Sequence, residues 1–173
     1  WLATMASHFK DSEIGFVCGA SPLIHKDSLL NNIFQMESLI QESINAGAII
    51  NNLVVSCTGR NIAFRKDIFN QVGGYIGNES VMSGDDDLLL QKFALQSDKK
   101  IKYSISSASL VDSYAPINFK NLIKQRLRFA SKGLLYYRTK TTIELKSTIV
   151  ILFLSNLIFI FSLFNLFSIN NLL

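Results

Sequence analysis

Three consecutive carboxylates, Asp85-Asp86-Asp87, lie in the stretch Ser83-Gly84-Asp85-Asp86-Asp87-Leu88-Leu89-Leu90, between a loop ending in glycine and an apolar run. The run reads as the start of a helix, so the acids occupy its first turn, where unpaired backbone N–H groups and the macrodipole favour negative charge. A carboxylate held rigidly there can act as a general base. Like-charged neighbours raise its pKa, while helix N–H groups and any nearby cation lower it. The same residues also have a purely structural use, because Ser83 with Asp86 three positions on is a capping-box-like pattern.

A second group of reactive types lies about forty residues later. Gln125-Arg126-Leu127-Arg128-Phe129 puts Gln125, Arg128 and Phe129 at i, i+3 and i+4, on one helix face. An amide, a guanidinium and an aromatic ring so arranged can hold a phosphate or diphosphate by forked hydrogen bonds and pack against a sugar ring. A basic amphipathic helix resting on anionic lipid would use the same residues.

The elements that must position these groups follow from periodicity. Residues 1–9 carry Leu2, Met5, Ala6 and Phe9 at helical spacing, and residues 14–24 read as a strand that breaks up near Pro22. Asp27 is the expected cap of a long helix to about Ala46, with Leu30, Ile33, Phe34, Leu39, Ile40 and Ile44 as its apolar stripe. Residues 53–57 suggest a second strand. The turn Thr58-Gly59-Arg60-Asn61 leads into residues 62–65, and a short helix over 66–72 stops at Gly73-Gly74. The acidic helix runs to about Ser97, and short strands are expected over 101–105 and 108–111. After Pro116, with Asn118 as cap, a basic helix spans 119–138. Helices alternating with short strands argue an α/β layered domain.

The net charge of +4 is unevenly spread: eight basic residues and one acid lie between Lys120 and Lys146, so that stretch carries +7 and the rest −3. Residues 147–173 contain no charged residue and are dominated by Leu, Ile, Phe and Val. About 20 such residues cross a bilayer core as a helix, which predicts one transmembrane span. Basic residues just before a span mark the cytoplasmic side, so residues 1–146 are expected to face the cytoplasm and 147–173 to form the membrane segment. Cys18 and Cys57 make no disulfide framework and have no metal-ligand spacing. His8 and His25 are isolated.

Taken in order, Gly59-x-Asn61-x-Ala63-Phe64-Arg65, Val72-Gly73-Gly74-Tyr75, Gly84-Asp85-Asp86 and Gln125-x-x-Arg128-Phe129 resemble the C-terminal half of membrane-associated family 2 glycosyltransferases. That group includes the cellulose, chitin and hyaluronan synthases, and the resemblance covers roughly residues 1–145. It implies the C-terminal part of a GT-A, Rossmann-like catalytic domain followed by a transmembrane helix. The nucleotide-binding half, with its metal-binding D-x-D, is expected upstream of Trp1. By the resemblance, Asp86 matches the base on the acceptor hydroxyl and Asp85 the acid beside it. Gln125, Arg128 and Phe129 match the Q-x-x-R-W element that assists diphosphate binding and lines the acceptor site. Gly59, Arg60 and Asn61 match a segment close to the acceptor pocket. Phe129 stands where tryptophan is usual, keeping a stacking surface and removing an N–H donor.

The implied activity is inverting transfer of a sugar from a nucleotide-sugar donor to a sugar or lipid-linked acceptor hydroxyl at the cytoplasmic membrane face, in polysaccharide or glycolipid biosynthesis. A divalent cation, Mg or Mn, is expected in the complete enzyme, with its ligands outside this chain and no nucleic acid as partner. Two rivals stand beside this reading. A metal-dependent phosphohydrolase would need more converging acids or histidines than this sequence offers. A membrane-tethered basic α/β module would bind anionic lipid or nucleic acid without catalysis, using the Lys and Arg residues interleaved with Phe129, Tyr136 and Tyr137.

Overall fold

The computed structural model describes residues 1–24, 28–77, 84–115 and 119–170; within its helices, the side chains of residues 30, 119, 122, 126, 129, 130, 134, 160 and 163–170 are outside the description. The chain is mixed α/β. Its three-stranded sheet has β1 (Ile14–Gly19) at the centre, β2 (Ile62–Phe64) antiparallel on one side and β3 (Lys100–Ser104) parallel on the other.

Every residue of β1 is buried, as a central strand covered on both faces requires. Ile14 pairs with Lys100 and Phe16 with Ile101, so β1 holds one extra residue there, a bulge at Gly15. The bulge shifts the side-chain alternation, which is why Ile14 and Val17 share one face. There they meet Met5 of helix α1 (Leu2–Ser7). Phe16 and Cys18 point to the other face and join the main core. That core also holds Ile68 from α3 (Lys66–Gln71), Leu89, Leu90 and Phe93 from α4 (Asp85–Gln96), and Ile49 from α2 (Leu29–Ile50). Phe93 packs edge-on against Phe16, with ring centroids 5.0 Å apart.

Several expectations are corrected. The long helix is capped by Ser28, whose side chain accepts from Asn31 N at 3.1 Å, and α2 continues through Gly47 to Ile50. Asp27, the expected cap, lies outside the described residues. The expected stripe of α2 is largely turned outward: Ile33, Leu39, Ile40 and Ile44 are exposed, whereas Phe34 and Ile49 are buried. Residues 53–57 form no strand. Side chains tie that segment down instead: Gln91 Nε2 donates to the carbonyls of Val54 and Val55 at 3.2 and 3.1 Å, and Thr142 Oγ1 donates to Val54 O at 2.8 Å. Where a strand was expected over 108–111, Ser107–Ser109 make one 3₁₀ turn, with the Ser106 side chain accepting from Ala108 N. Its serines satisfy one another locally rather than a ladder.

Helix α5 (Phe119–Arg138) occupies the expected span, and α6 (Ile143–Asn170) follows after a short turn. Pro116 and Asn118 lie outside the described residues. Among the described residues no helix is long and apolar enough to cross a membrane. Part of the expected span falls on residues 163–173, outside the described side chains. The described side chains Ile151 to Leu154 and Leu157 to Phe159 of α6 are exposed.

Candidate functional site

The acidic first turn begins at Gly84, whose φ of +100° is in the left-handed region; Ser83 lies outside the described residues. Gly84 offers no side chain to cap α4, and Asp86 answers one of the exposed N–H groups itself. Asp86 Oδ1 accepts from Asp87 N at 3.0 Å, and Asp86 Oδ2 accepts from Gly59 N at 2.8 Å. Asp86 thus bridges its own helix terminus and the loop that sequence reading placed beside it.

That bridge explains the glycine. A Cβ on Gly59 would stand 2.5 Å from Asp86 Oδ2 and 2.9 Å from Asp86 Cβ, inside ordinary contact distance. Only a residue without a side chain lets the loop approach so closely. Asp86 is partly buried, and burial, followed by the charge of Asp87, raises its pKa; Lys132 and the backbone N–H groups of Asp87 and Gly59 pull the other way without cancelling the rise. Such a carboxyl is a better proton acceptor than an exposed aspartate while remaining reachable.

Asp85 is exposed on the same turn. Burial raises the pKa of the Tyr75 phenol, and the charges of Asp85 and Asp86 add to the rise. The loop around Tyr75 is pinned to α4 by Lys92, whose Nζ donates to Gly74 O and Ile76 O, each at 2.7 Å.

Asp87 is the member of the triplet that sequence reading passed over, and it is buried at 5% exposure. Asp87 Oδ1 accepts from Ser56 Oγ at 2.7 Å and Cys57 N at 3.1 Å; Asp87 Oδ2 accepts from Tyr136 OH at 2.6 Å and faces Lys132 Nζ at 3.7 Å. Burial and the Asp87 charge push the Tyr136 phenol far above its ordinary pKa, so it stays a donor. A signal was available: Asp87 and Gln91 are i and i+4, a polar pair on the buried side of an otherwise leucine-rich helix.

Through Tyr136 and Lys132, Asp87 also fixes how α5 meets α4. At 3.6 residues per turn, Gln125, Arg128, Lys132 and Tyr136 fall within a sector of about 80°. The face carrying Gln125 and Arg128 therefore continues the one docked on the acidic turn. Gln125 is half-buried and Arg128 exposed; the Phe129 side chain lies outside the described residues. Lys132, one turn beyond Arg128, meets the acids.

The 59–61 segment divides. Gly59 joins the site and Arg60 is exposed beside it, but Asn61 turns inward and is fully buried. Asn61 Nδ2 donates to Ala20 O at 2.7 Å and Ser109 O at 2.8 Å, and Asn61 Oδ1 accepts from Trp1 Nε1 at 2.9 Å. Its polar atoms are thus spent on joining three segments of chain. Arg65 works similarly, donating to the carbonyls of Ile14, Phe9 and Asp11.

Among the described residues, no group of three or more His, Cys, Asp or Glu side chains is arranged to hold a metal ion. Cys18 and Cys57 are free and buried; a hydrogen bond to Cys18, with burial, keeps the Cys57 thiol protonated.

No family model and no curated protein matches the chain. What the residues can do is therefore argued from their chemistry: a partly buried carboxyl of raised pKa at a helix N-terminus, beside an exposed acid, with Lys132 and Tyr136 of α5 at the same turn and an amide and a guanidinium on the same face of that helix further toward its start.

Proposed function

We propose that the chain is the acceptor-side part of an inverting, GT-A type glycosyltransferase acting at the cytoplasmic face of a membrane, with the donor-binding half supplied outside residues 1–173. The observation that carries this reading is the placement of Asp86 between Gly59 N and its own helix terminus, with α5 docked on the same turn. In the reaction, Asp86 takes the proton of the acceptor hydroxyl as that oxygen bonds to the anomeric carbon from the face opposite the leaving group. The bond from the anomeric carbon to the diphosphate oxygen breaks, and the nucleoside diphosphate leaves with the electron pair. Arg128 and Gln125 hold its oxygens and stabilise the departing charge. Asp85 supports the acceptor beside the base, Arg60 and Phe129 line its approach, and Asn61 holds the loop from within.

The test uses membranes containing the complete polypeptide to which this chain belongs, supplied with a panel of labelled nucleotide sugars and a divalent cation. Asp86→Asn is expected to abolish transfer while sparing donor binding. Near-normal turnover by Asp86→Asn removes it from the base role.

One observation favours a second reading, a membrane-tethered module without catalysis. Lys120, Lys124 and Arg128 are exposed on α5, and the apolar side chains of α6 that follow are exposed too. Anionic vesicles that bind the chain as tightly as the complete polypeptide, with no sugar transferred from any donor, decide for it. Binding of residues 118–146 to nucleic acid in preference to such vesicles decides for the nucleic-acid form of this reading.

A further inference from the structure

The transferase reading uses Asp85 and Asp86 but leaves the third carboxylate without a task, although it is the most heavily engaged. Both oxygens of Asp87 are occupied, by Ser56, Cys57 N, Tyr136 and Lys132, and the side chain is buried. Buried and engaged at both oxygens, Asp87 is not open to an incoming hydroxyl as Asp86 is. A buried carboxylate costs free energy unless fully paired, and this one, on α4, is paired from two directions. Those directions are the segment 53–57, through Ser56 and Cys57, and helix α5, through Tyr136 and Lys132. The segment continues into Gly59, which holds Asp86 Oδ2, and Asp87 N holds Asp86 Oδ1.

We infer that Asp87 is the positioning residue of this site, setting at once where the Asp86 carboxyl sits and where α5, the helix that bears Gln125 and Arg128, meets the acidic turn. The inference rests on the transferase reading for its consequence in turnover, but not for its geometry. Gly84 supports it: a Cβ there would collide with the Tyr136 hydroxyl, so the backbone at Gly84 lies directly against the Asp87–Tyr136 bond. Gln91 extends the clamp one turn on, its Oε1 accepting from Thr142 N at 2.8 Å at the start of α6.

Charge gives a readout that a purely structural role would not move. The charged groups acting on the Asp86 carboxyl are Asp87, a like charge, and Lys132, an opposite one; the neutral Tyr75, Tyr136 and Cys57 also stand close enough to feel its charge. Asp87→Asn removes the like charge and leaves one acceptor oxygen where there were two, Lys132→Met removes the cation, and Tyr136→Phe removes only the phenol's bond to Asp87.

The experiment follows carbodiimide coupling at Asp86 against pH by peptide mass spectrometry in the complete polypeptide, alongside kcat and KM for the donor. The coupling midpoint is expected to fall in Asp87→Asn and rise in Lys132→Met. Tyr136→Phe should leave the midpoint near that of the unaltered protein. Turnover in Asp87→Asn and Tyr136→Phe should fall on the order of 10²-fold, with donor KM little changed, as misplacement by about 1 Å predicts. Midpoints that move the same way in Asp87→Asn and Lys132→Met overturn the inference, as does unaltered kcat in Tyr136→Phe. If the unaltered polypeptide transfers no sugar from any donor, the transferase reading fails, and the opposed midpoints still decide whether Asp87 sets the state of Asp86.

Discussion

Replacing Gly59 by alanine perturbs the candidate base through one methyl group. The new Cβ would stand 2.9 Å from Asp86 Cβ and 3.0 Å from Asp86 Cγ, which are fixed to a helix whose next residues, Leu88 to Leu90, are buried. Carbon atoms pack at about 3.5–4.0 Å, so the loop must retreat by roughly 0.6–1 Å. That retreat stretches the 2.8 Å bond from Gly59 N to Asp86 Oδ2 beyond a useful hydrogen bond. Relief of the overlap costs about 1–3 kcal/mol. Losing the charge-assisted bond adds about 1 kcal/mol, kept low because the loop is open to water. Urea unfolding followed by circular dichroism should therefore show Gly59→Ala less stable by about 2–4 kcal/mol. Arg60→Ala, next door and exposed, should stay within about 0.5 kcal/mol. Turnover of the complete polypeptide should fall on the order of 10²-fold from displacement of the base. A Gly59→Ala protein as stable as Arg60→Ala would show that the close approach of loop and carboxylate does not exist in solution.

Further outcomes follow from the same contacts. Gly84→Ala combines a positive φ, a strain of about 1–3 kcal/mol, with collision against Tyr136, so it should lower the urea midpoint more than Gly59→Ala does. Asn61→Ala leaves the carbonyl of buried Ser109 without this donor, removes one of the two bonds to Ala20 O, and should cost about 1–3 kcal/mol in the same unfolding assay. For pH, the folded pKa of Asp86 is raised, so the folded state binds the proton more tightly than the unfolded one. The contribution of Asp86 to stability is thus present below its unfolded pKa and is lost as pH rises through the folded pKa. Asp86→Asn should abolish that part of the slope in pH-dependent unfolding, while the acidic limb of kcat/KM for sugar transfer should lie above that of an ordinary aspartate.

Much of the element order was readable because it rests on local rules. The acidic first turn, the basic helix over 119–138 and the apolar segment beyond it are properties of neighbouring residues. The strand expected over 53–57 was not readable. Its apolar residues are held by Gln91, Asp87 and Thr142, whose partners lie 30 or more positions away. The outward stripe of α2 was misjudged for a related reason: periodicity shows that a helix has an apolar face, not what the face meets.

The candidate site divides along the same line. Sequence alone determined that three carboxylates begin a helix, that Gly59 lies in a turn, and that Gln125 and Arg128 share a face, because these depend on spacing within one element. Which carboxylate does what was decided only by folding. Burial took Asp87 out of water and required four partners for it, the close approach of Gly59 drew Asp86 into the loop, and Asp85 was left facing solvent. The three side chains are chemically identical, and no local rule separates them. Their different ionisation and reach come from desolvation and from partners that only tertiary packing brings within about 3 Å.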